Sequence, residues 1–403
     1  MPQLINPLTS YFDGVYSDLS NIKVSKLFLS IWANAMGGAR TEYVDNATQV
    51  SVDLYRGYKK ISKVLSRGPN TGHLNLGENS KHIKADYWQN VAYDFPLIQD
   101  SASVSYSNLL KYRAFGRVDT DVSMSPMDKA REELGRDLLT IIQGQGGRME
   151  AMCVEALSTG VLTLDDDTEY DFDRSTDNTI TVNPLWSVTA TADPIGDFDI
   201  AIEKIQENGK SDASAAIIGY DAFDAMINTD QIKNLADNRR FEFVQMGSGT
   251  RALPGLPTDM NYLVANGAKY IAYIKTKKGR DVYLFAYNDR YQNAAGTWVD
   301  FFNSKDVLVF DHTARRDRYF GPRIRFDMIS QEEMMLNQAL GLSNMESMAV
   351  READPSGILD VSMFHFDSFM NRARTNIYVE CYTGFLPIPT AVDTTALLDG
   401  VIA

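Results

Sequence analysis

The alternation of apolar and polar positions divides the chain into stretches of different period. Leu27, Phe28, Ile31 and Trp32 have the spacing of one short amphipathic helix ahead of Gly37 and Gly38. The rest of residues 1–54 is too sparse in apolar side chains to form a core, so the segment reads as an arm that packs on something else. From Tyr55 the character changes. The stretch RGYKKISKVLSRGPNTGHLNLGENSKHIKADYW is basic, rich in Gly, Asn and Ser, and contains the alternating runs ISKVL and HIKADYW. Two such runs around a turn-rich middle predict a long β-hairpin over 55–95. Two strands are marginal in water by themselves, so this hairpin needs a partner surface.

The clearest helical period follows. Ser125 and Pro126 start it, Asp128 lies in its first turn, and Leu134, Leu138, Ile141, Ile142, Gln145, Met149, Met152 and Leu157 recur at spacings near three and four. Gly144, Gly146 and Gly147 each cost about 1 kcal/mol relative to Ala, which predicts a kink or break, and Gly160 a stop. VLTL, YDFD and TITV then read as short strands. FDIAIEKIQENG predicts an amphipathic helix ending at Gly209, AAIIGY a buried strand, and DAFDAMINTDQIKNLADNRR one further helix. NYLVA, YIAYIKT, DVYLFAY and DVLVF read as strands. Residues 328–370, rich in Met, Glu and Ser, fit no simple period. NIYVECYTGFLPIPTAVD closes the chain as a strand that stops at Pro387 and Pro389.

Length and charge narrow the classes. At 403 residues, 44% hydrophobic and 23% charged, the chain has room for two or three domains with a substantial core. No apolar run reaches the ~18 residues that span a bilayer, so no membrane partner is expected. The N-terminus lacks a basic flank followed by an apolar stretch, which favours a cytoplasmic product. A formal charge of −14 argues against a chain whose main task is gripping nucleic acid, though not against a wall that encloses it. Cys153 and Cys381 form no CxxC pair and read as small buried hydrophobes.

Catalytic chemistry has little to stand on. Asp165, Asp166, Asp167, Glu169, Asp171 and Asp173 offer enough carboxylates for a hard cation, but they lack the Gly and distal Glu of an EF-hand. On a strand, alternate carboxylates also make a solvated acidic face. GQGGR, from Gly144 to Arg148, lacks the preceding strand and the Lys-Ser/Thr of a P-loop. His73, His82, His312 and His365 are dispersed, and no GxSxG surrounds a serine. The expectation is no enzyme, no cofactor and no metal. A metal-dependent enzyme using Asp165–Asp173 is the remote alternative.

The order of elements is arm, basic hairpin, long helix, acidic strands, α/β unit and returning strand. It resembles the major head protein of phage lambda and its relatives, which have the Hong Kong 97-type capsid fold. KVLSRGPNTG resembles their basic Arg-Gly turn in the extended loop. MDKAREELGRDLL through CVEALSTGVLTL looks like their spine helix and following strand. DFDIAIEKIQENG with AAIIGYDAFDAMINTDQIKNLADNRR is similar to their helix–strand–helix, and YVECYTGFLPIPTAVD to their last strand. The resemblance covers about three quarters of the chain.

It implies an α+β fold: an N-terminal arm (1–54), an extended loop (55–95), a peripheral domain (96–196) holding the spine helix at about 127–159, an axial domain (197–370), and a C-terminal strand (371–403) returning to the core; residues 328–370 depart from the family pattern and read as an insertion in the axial domain or on the outer surface. Its implied partners are many copies of itself in hexamers and pentamers, a portal, a decoration protein, and DNA enclosed without sequence-specific binding. No long charged helix precedes the arm, so a separate scaffolding protein is expected. Arg56, Lys59, Lys60, Lys63, Arg67, Lys81 and Lys84 are the expected inter-subunit contacts of the extended loop. The implied location is the virion capsid, assembled in the host cytoplasm. An encapsulin-like bacterial compartment with the same fold is the second reading; a cargo pocket would separate the two.

Overall fold

A computed structural model describes residues 27–32, 40–43, 49–55, 88–105, 126–165, 167–237, 256–293, 296–321, 364–370 and 376–402. Residues 55–95 therefore enter only through their two ends, and nearly all of 328–370 lies outside the described residues. The helices are α1 (Leu27–Trp32), α2 (Pro126–Ser158), α3 (Pro194–Asn208), α4 (Tyr220–Asn228), α5 (Asp230–Asp237) and α6 (Asn261–Ala265). The strands begin with β1 (Arg40–Tyr43), β2 (Gln49–Tyr55), β3 (Trp88–Asp94), β4 (Leu97–Ser105), β5 (Val161–Thr163), β6 (Glu169–Asp171), β7 (Thr179–Thr181), β8 (Ala215–Ile218), β9 (Lys269–Lys275) and β10 (Asp281–Ala286). They continue with β11 (Arg290–Gln292), β12 (Trp298–Asp300), β13 (Val307–Phe310), β14 (Asp317–Phe320), β15 (His365–Met370), β16 (Asn376–Ile388) and β17 (Thr395–Asp399). The protein is a mixed helix-and-sheet fold.

A six-stranded mixed sheet, ordered β7-β17-β13-β8-β10-β9, forms its centre. AAII, VLVF and TALL are buried at every residue, because this sheet is covered on both faces. Successive side chains point to opposite sides. Ala215, Ile217, Phe285, Leu308, Phe310 and Leu397 enter one core with α1 and α2. Ala216, Ile218, Leu284, Val307, Val309, Ala396 and Leu398 enter a second core with α3 and Trp186. Two layers of helix thus sandwich one sheet.

Helix α3 shows how the local sequence sets an element. Asp193 caps it by accepting from the Gly196 N–H at 3.0 Å, Pro194 opens it, and Gly209 ends it. Ile195, Phe198, Ala201, Ile202 and Ile205 form its buried stripe. In α2 the expected stripe is buried at Leu138, Ile142, Gln145, Met149, Met152 and Leu157. The expected break is absent: α2 runs continuously through Gly144, Gly146 and Gly147. Tertiary packing overrides propensity here, because this part of the helix lies along β4 and β16. Gly160, at φ 77°, stops it as expected.

The second sheet turns on β16. Residues 376–384 pair antiparallel with β4, 377–382 with β15, and 385–388 with β14, whose other edge takes β1 in parallel. The strand stops at the proline pair as expected, running through Pro387 and ending at Ile388, before Pro389. Among the described residues only β14 flanks that end, so an edge remains where a missing N–H is tolerated.

Three further expectations are corrected. NYLVA is a helical turn, α6, in which Leu263 is the fully buried residue; a short apolar run carries too little period to choose. The long helix from Asp221 is two helices, because Thr229 (φ −67°, ψ 145°) leaves helical geometry and its carbonyl then accepts from Lys233 N–H. Helix α1 is buried on all sides rather than amphipathic, and it packs on this chain's own α2 and α6.

Gly219 stands where the chain turns from β8 into α4, and a Cβ there would collide with the Asn303 and Ser304 carbonyls. Its φ of −67° suits any residue, so the requirement is for space. Gly219→Ala is expected to destabilise the subunit by about 1–3 kcal/mol in urea unfolding. An unchanged midpoint would show that the 303–304 turn yields freely.

Candidate functional site

Two questions define the site: what holds α1 and the β2–β3 pair to the body, and whether any cluster could do chemistry. A buried carboxylate answers the first. Glu150 lies on the inner face of α2 with no exposed surface. Its Oε1 accepts from the Phe28 N–H at 3.0 Å and its Oε2 from the Leu29 N–H at 2.8 Å. The Tyr287 hydroxyl, just beyond β10, donates to Oε1 at 2.7 Å. The two backbone donors lie at the N-terminal end of α1, where N–H groups lack helical partners. Burial and the neighbouring carboxylate push the Tyr287 hydroxyl far above its ordinary pKa, which keeps it a donor. Five positions further back, Gln145 donates to the Cys381 carbonyl at 2.9 Å and to Asp100 at 3.2 Å, tying α2 to β16 and β4.

The β2–β3 pair is equally defined. β2 and β3 pair antiparallel from Gln49↔Asp94 to Tyr55↔Trp88, so residues 56–87 leave and return at adjacent strand ends. The Tyr55 N–H donates to the Thr390 carbonyl at 2.8 Å. The Tyr93 hydroxyl donates to the Asp171 carbonyl at 3.2 Å, and its ring meets Tyr170 and Phe172 at 5.6 and 5.5 Å. Burial first, then the charges of Asp171 and Asp173, raise the Tyr93 hydroxyl to about 12. The seven basic residues expected to make contacts, Arg56, Lys59, Lys60, Lys63, Arg67, Lys81 and Lys84, lie outside the described residues.

No cluster reads as a catalytic centre. Asp165 pairs with Arg148 at 2.8 Å in the turn between β5 and β6, and Asp171 accepts from the Asp173 N–H at the opposite end of that hairpin. Among the described residues no three His, Cys, Asp or Glu side chains are grouped to hold a metal. Both cysteines are buried free thiols, as expected, with pKa values raised mainly by burial. One grouping escaped the sequence reading. His312 Nε2 lies 2.8 Å from Asp259 and its Nδ1 3.1 Å from Ser214 Oγ. These three residues are far apart in sequence and carry no local motif. They brace the start of β8, the end of β13 and the turn before α6. Of the other histidines, His365 lies on β15, while His73 and His82 fall outside the described residues.

The body has a fold seen in a solved structure. Its fold matches the putative capsid protein of a prophage in E. coli CFT073 with a TM-score of 0.59 and 12% identity, covering 97% of this chain and 98% of that one. The mature capsid of bacteriophage PhiM1 (TM-score 0.38, 10% identity, 89% and 84% covered) and the SrpI encapsulin of Synechococcus elongatus PCC 7942 (TM-score 0.38, 10% identity, 90% and 86% covered) match less well. No curated protein matches. Residues 76–322, more than half of the chain, match the family described as phage major capsid protein E, and the chain belongs to that family. It is a major capsid protein, a structural protein by family.

Removing the Glu150 carboxylate leaves two backbone N–H groups buried without acceptors, each worth about 1–3 kcal/mol. Glu150→Ala is expected to lower subunit stability by about 3 kcal/mol in urea unfolding, and Glu150→Gln, which keeps one acceptor, by less. Equal stability of all three proteins would refute this account of the α1 anchor.

Proposed function

We propose that this capsid protein builds an icosahedral shell with a Hong Kong 97-type subunit, enclosing double-stranded DNA without sequence-specific contact. In this reading residues 1–54 are the arm, 55–95 the extended loop, 96–196 a peripheral domain with α2 as spine, 197–370 an axial domain and 371–403 the return to the core. The observation that carries it is the stem formed by β2 and β3. A basic segment leaves and re-enters the body between paired strand ends, which suits a loop laid across a neighbouring copy. In a chain of net charge −14 a basic loop finds acidic surface on its neighbours. Arg56, Lys59, Lys60, Lys63, Arg67, Lys81 and Lys84 supply those contacts.

Shell interfaces of this obligate kind commonly exceed about 2,000 Å², and reaching arms enlarge them without enlarging the core. Copies gather as hexamers and pentamers, with a separate scaffolding protein, a portal and a decoration protein as further partners. Assembly takes place in the host cytoplasm, the virion capsid is the destination, and no catalysis or cofactor is required. An encapsulin-type compartment would share the fold; the family to which the chain belongs favours the phage shell.

Purified chain is expected to form closed icosahedral particles in negative-stain micrographs. A well-folded monomer at high concentration would overturn the shell. Limited proteolysis separates the loop from the rest: residues 55–90 should be cleaved in free subunits and protected in particles. Equal cleavage in both forms would refute the loop assignment.

A further inference from the structure

Two clefts flank the β11–β12 hairpin. The smaller, of about 270 Å³, runs between the hairpin and Tyr220, and Asp221, Arg290 and Asp300 supply its charges. The larger, of about 480 Å³, runs between the hairpin and α2, and Arg148, Glu155, Asp300 and Asp306 supply its charges. Asp300, Phe302 and Ser304 line both, so the two adjoin. Four carboxylates thus face two guanidinium groups, and both of these are engaged, Arg290 with Asp300 and Arg148 with Asp165. Asp221, Glu155 and Asp306 have no ion pair among the described residues. Their hydrogen bonds come from uncharged donors: the Ser304 hydroxyl, the Thr163 N–H, the Asn303 amide and the Gly400 N–H.

Trp298, 64% exposed, stands on the hairpin between the clefts, and Tyr220, 62% exposed, in the wall of the smaller. Carboxylates beside exposed aromatic faces suit Lys and Arg, which pair with the first and lie over the second. A basic occupant is at hand in the chain itself. Residues 56–87 hold seven basic side chains, from Arg56 to Lys84, against Glu78 and Asp86, a net charge of +5. No other long stretch outside the described residues comes near it: residues 106–125 carry +1, 238–255 carry +2 and 322–363 carry −4. Both ends of 56–87 are held at the β2–β3 pair, so it can reach at most about 50 Å from there. That reach is several times the ~8 Å over which charges are screened at physiological ionic strength. The charge of the segment, rather than the −14 of the whole chain, therefore decides what surface it meets.

We propose that the acid-lined surface between α2 and the β11–β12 hairpin receives the basic segment 56–87 of a neighbouring copy, whose Lys and Arg side chains pair with Asp221 and Glu155 and lie against Trp298 and Tyr220. The proposal rests on the shell reading and names the place where the extended loop lands. It joins opposite charges in copies that repel as wholes.

The test uses full-length chain. Thr297 is exposed at the turn of the hairpin and Ser66 precedes Arg67 in the basic segment, while the native Cys153 and Cys381 are buried, so background linkage is low. Chains carrying Thr297→Cys are mixed with chains carrying Ser66→Cys. Mild oxidation of the mixed particles is expected to give a disulfide-linked pair, one chain of each kind, and dilute free subunits none. Asp221→Asn with Glu155→Gln keeps the acceptors for Ser304 and Thr163 while removing two charges. This double variant is expected to raise the concentration needed for assembly about tenfold, with the unfolding midpoint of the free subunit unchanged. Particles without the mixed pair, together with an unchanged assembly threshold for the carboxylate variant, would overturn this landing site and leave the shell reading intact. A chain carrying both cysteines that closes an internal disulfide while dilute and monomeric would overturn it in favour of the chain's own loop. A wild-type chain that forms no particles at all would overturn both readings.

Discussion

The buried carboxylate of Glu150 is the constraint on which the arrangement turns. A carboxyl group with no exposed surface is costly unless hydrogen-bond donors surround it. Here three donors come from two places: α1 supplies two backbone N–H groups and the segment after β10 a phenol. None of these segments can shift without stranding the others' polar groups. Phe28, which donates to the carboxylate through its N–H, also packs its ring on Tyr287 and Phe302, at centroid distances of 5.5 and 6.0 Å. The same point is thus held by polar and apolar contacts at once.

From that anchor the body follows. With α1 fixed against α2, the long helix covers one face of the six-stranded sheet while α3 covers the other. The C-terminal segment then ties the two sheets together, β16 lying in one and β17 in the other, so that a strand late in the chain closes what the first strands opened. Asp393, between them, accepts from the Ser175 N–H at 2.8 Å, and its carbonyl accepts from Asn178 at 3.2 Å. The Trp298 hairpin stands out from the body so built, with its indole exposed.

Elements with a strong local signal were legible. Helix α3 carried its cap, its Pro and its closing Gly in sequence, and the buried stripe of α2 was readable from Leu138 to Leu157. Glycine propensity gave the wrong expectation within α2, because contact with β4 and β16 outweighs a local cost of about 1 kcal/mol per residue. NYLVA was too short to show a period. The break at Thr229 was written as Asn-Thr-Asp, a capping sequence that the apolar spacing on either side obscured.

The sequence by itself determined the types and order of the major elements, the burial of both cysteines and the resemblance to a phage shell protein, because propensity, period and charge are local quantities. Tertiary structure alone decided that Glu150 would be solvated by Phe28, Leu29 and Tyr287, that His312 would meet Ser214 and Asp259, and that Trp298 would project beside two clefts. Those juxtapositions join residues many positions apart. A chain read one window at a time holds no record of which distant side chain will supply the missing donor.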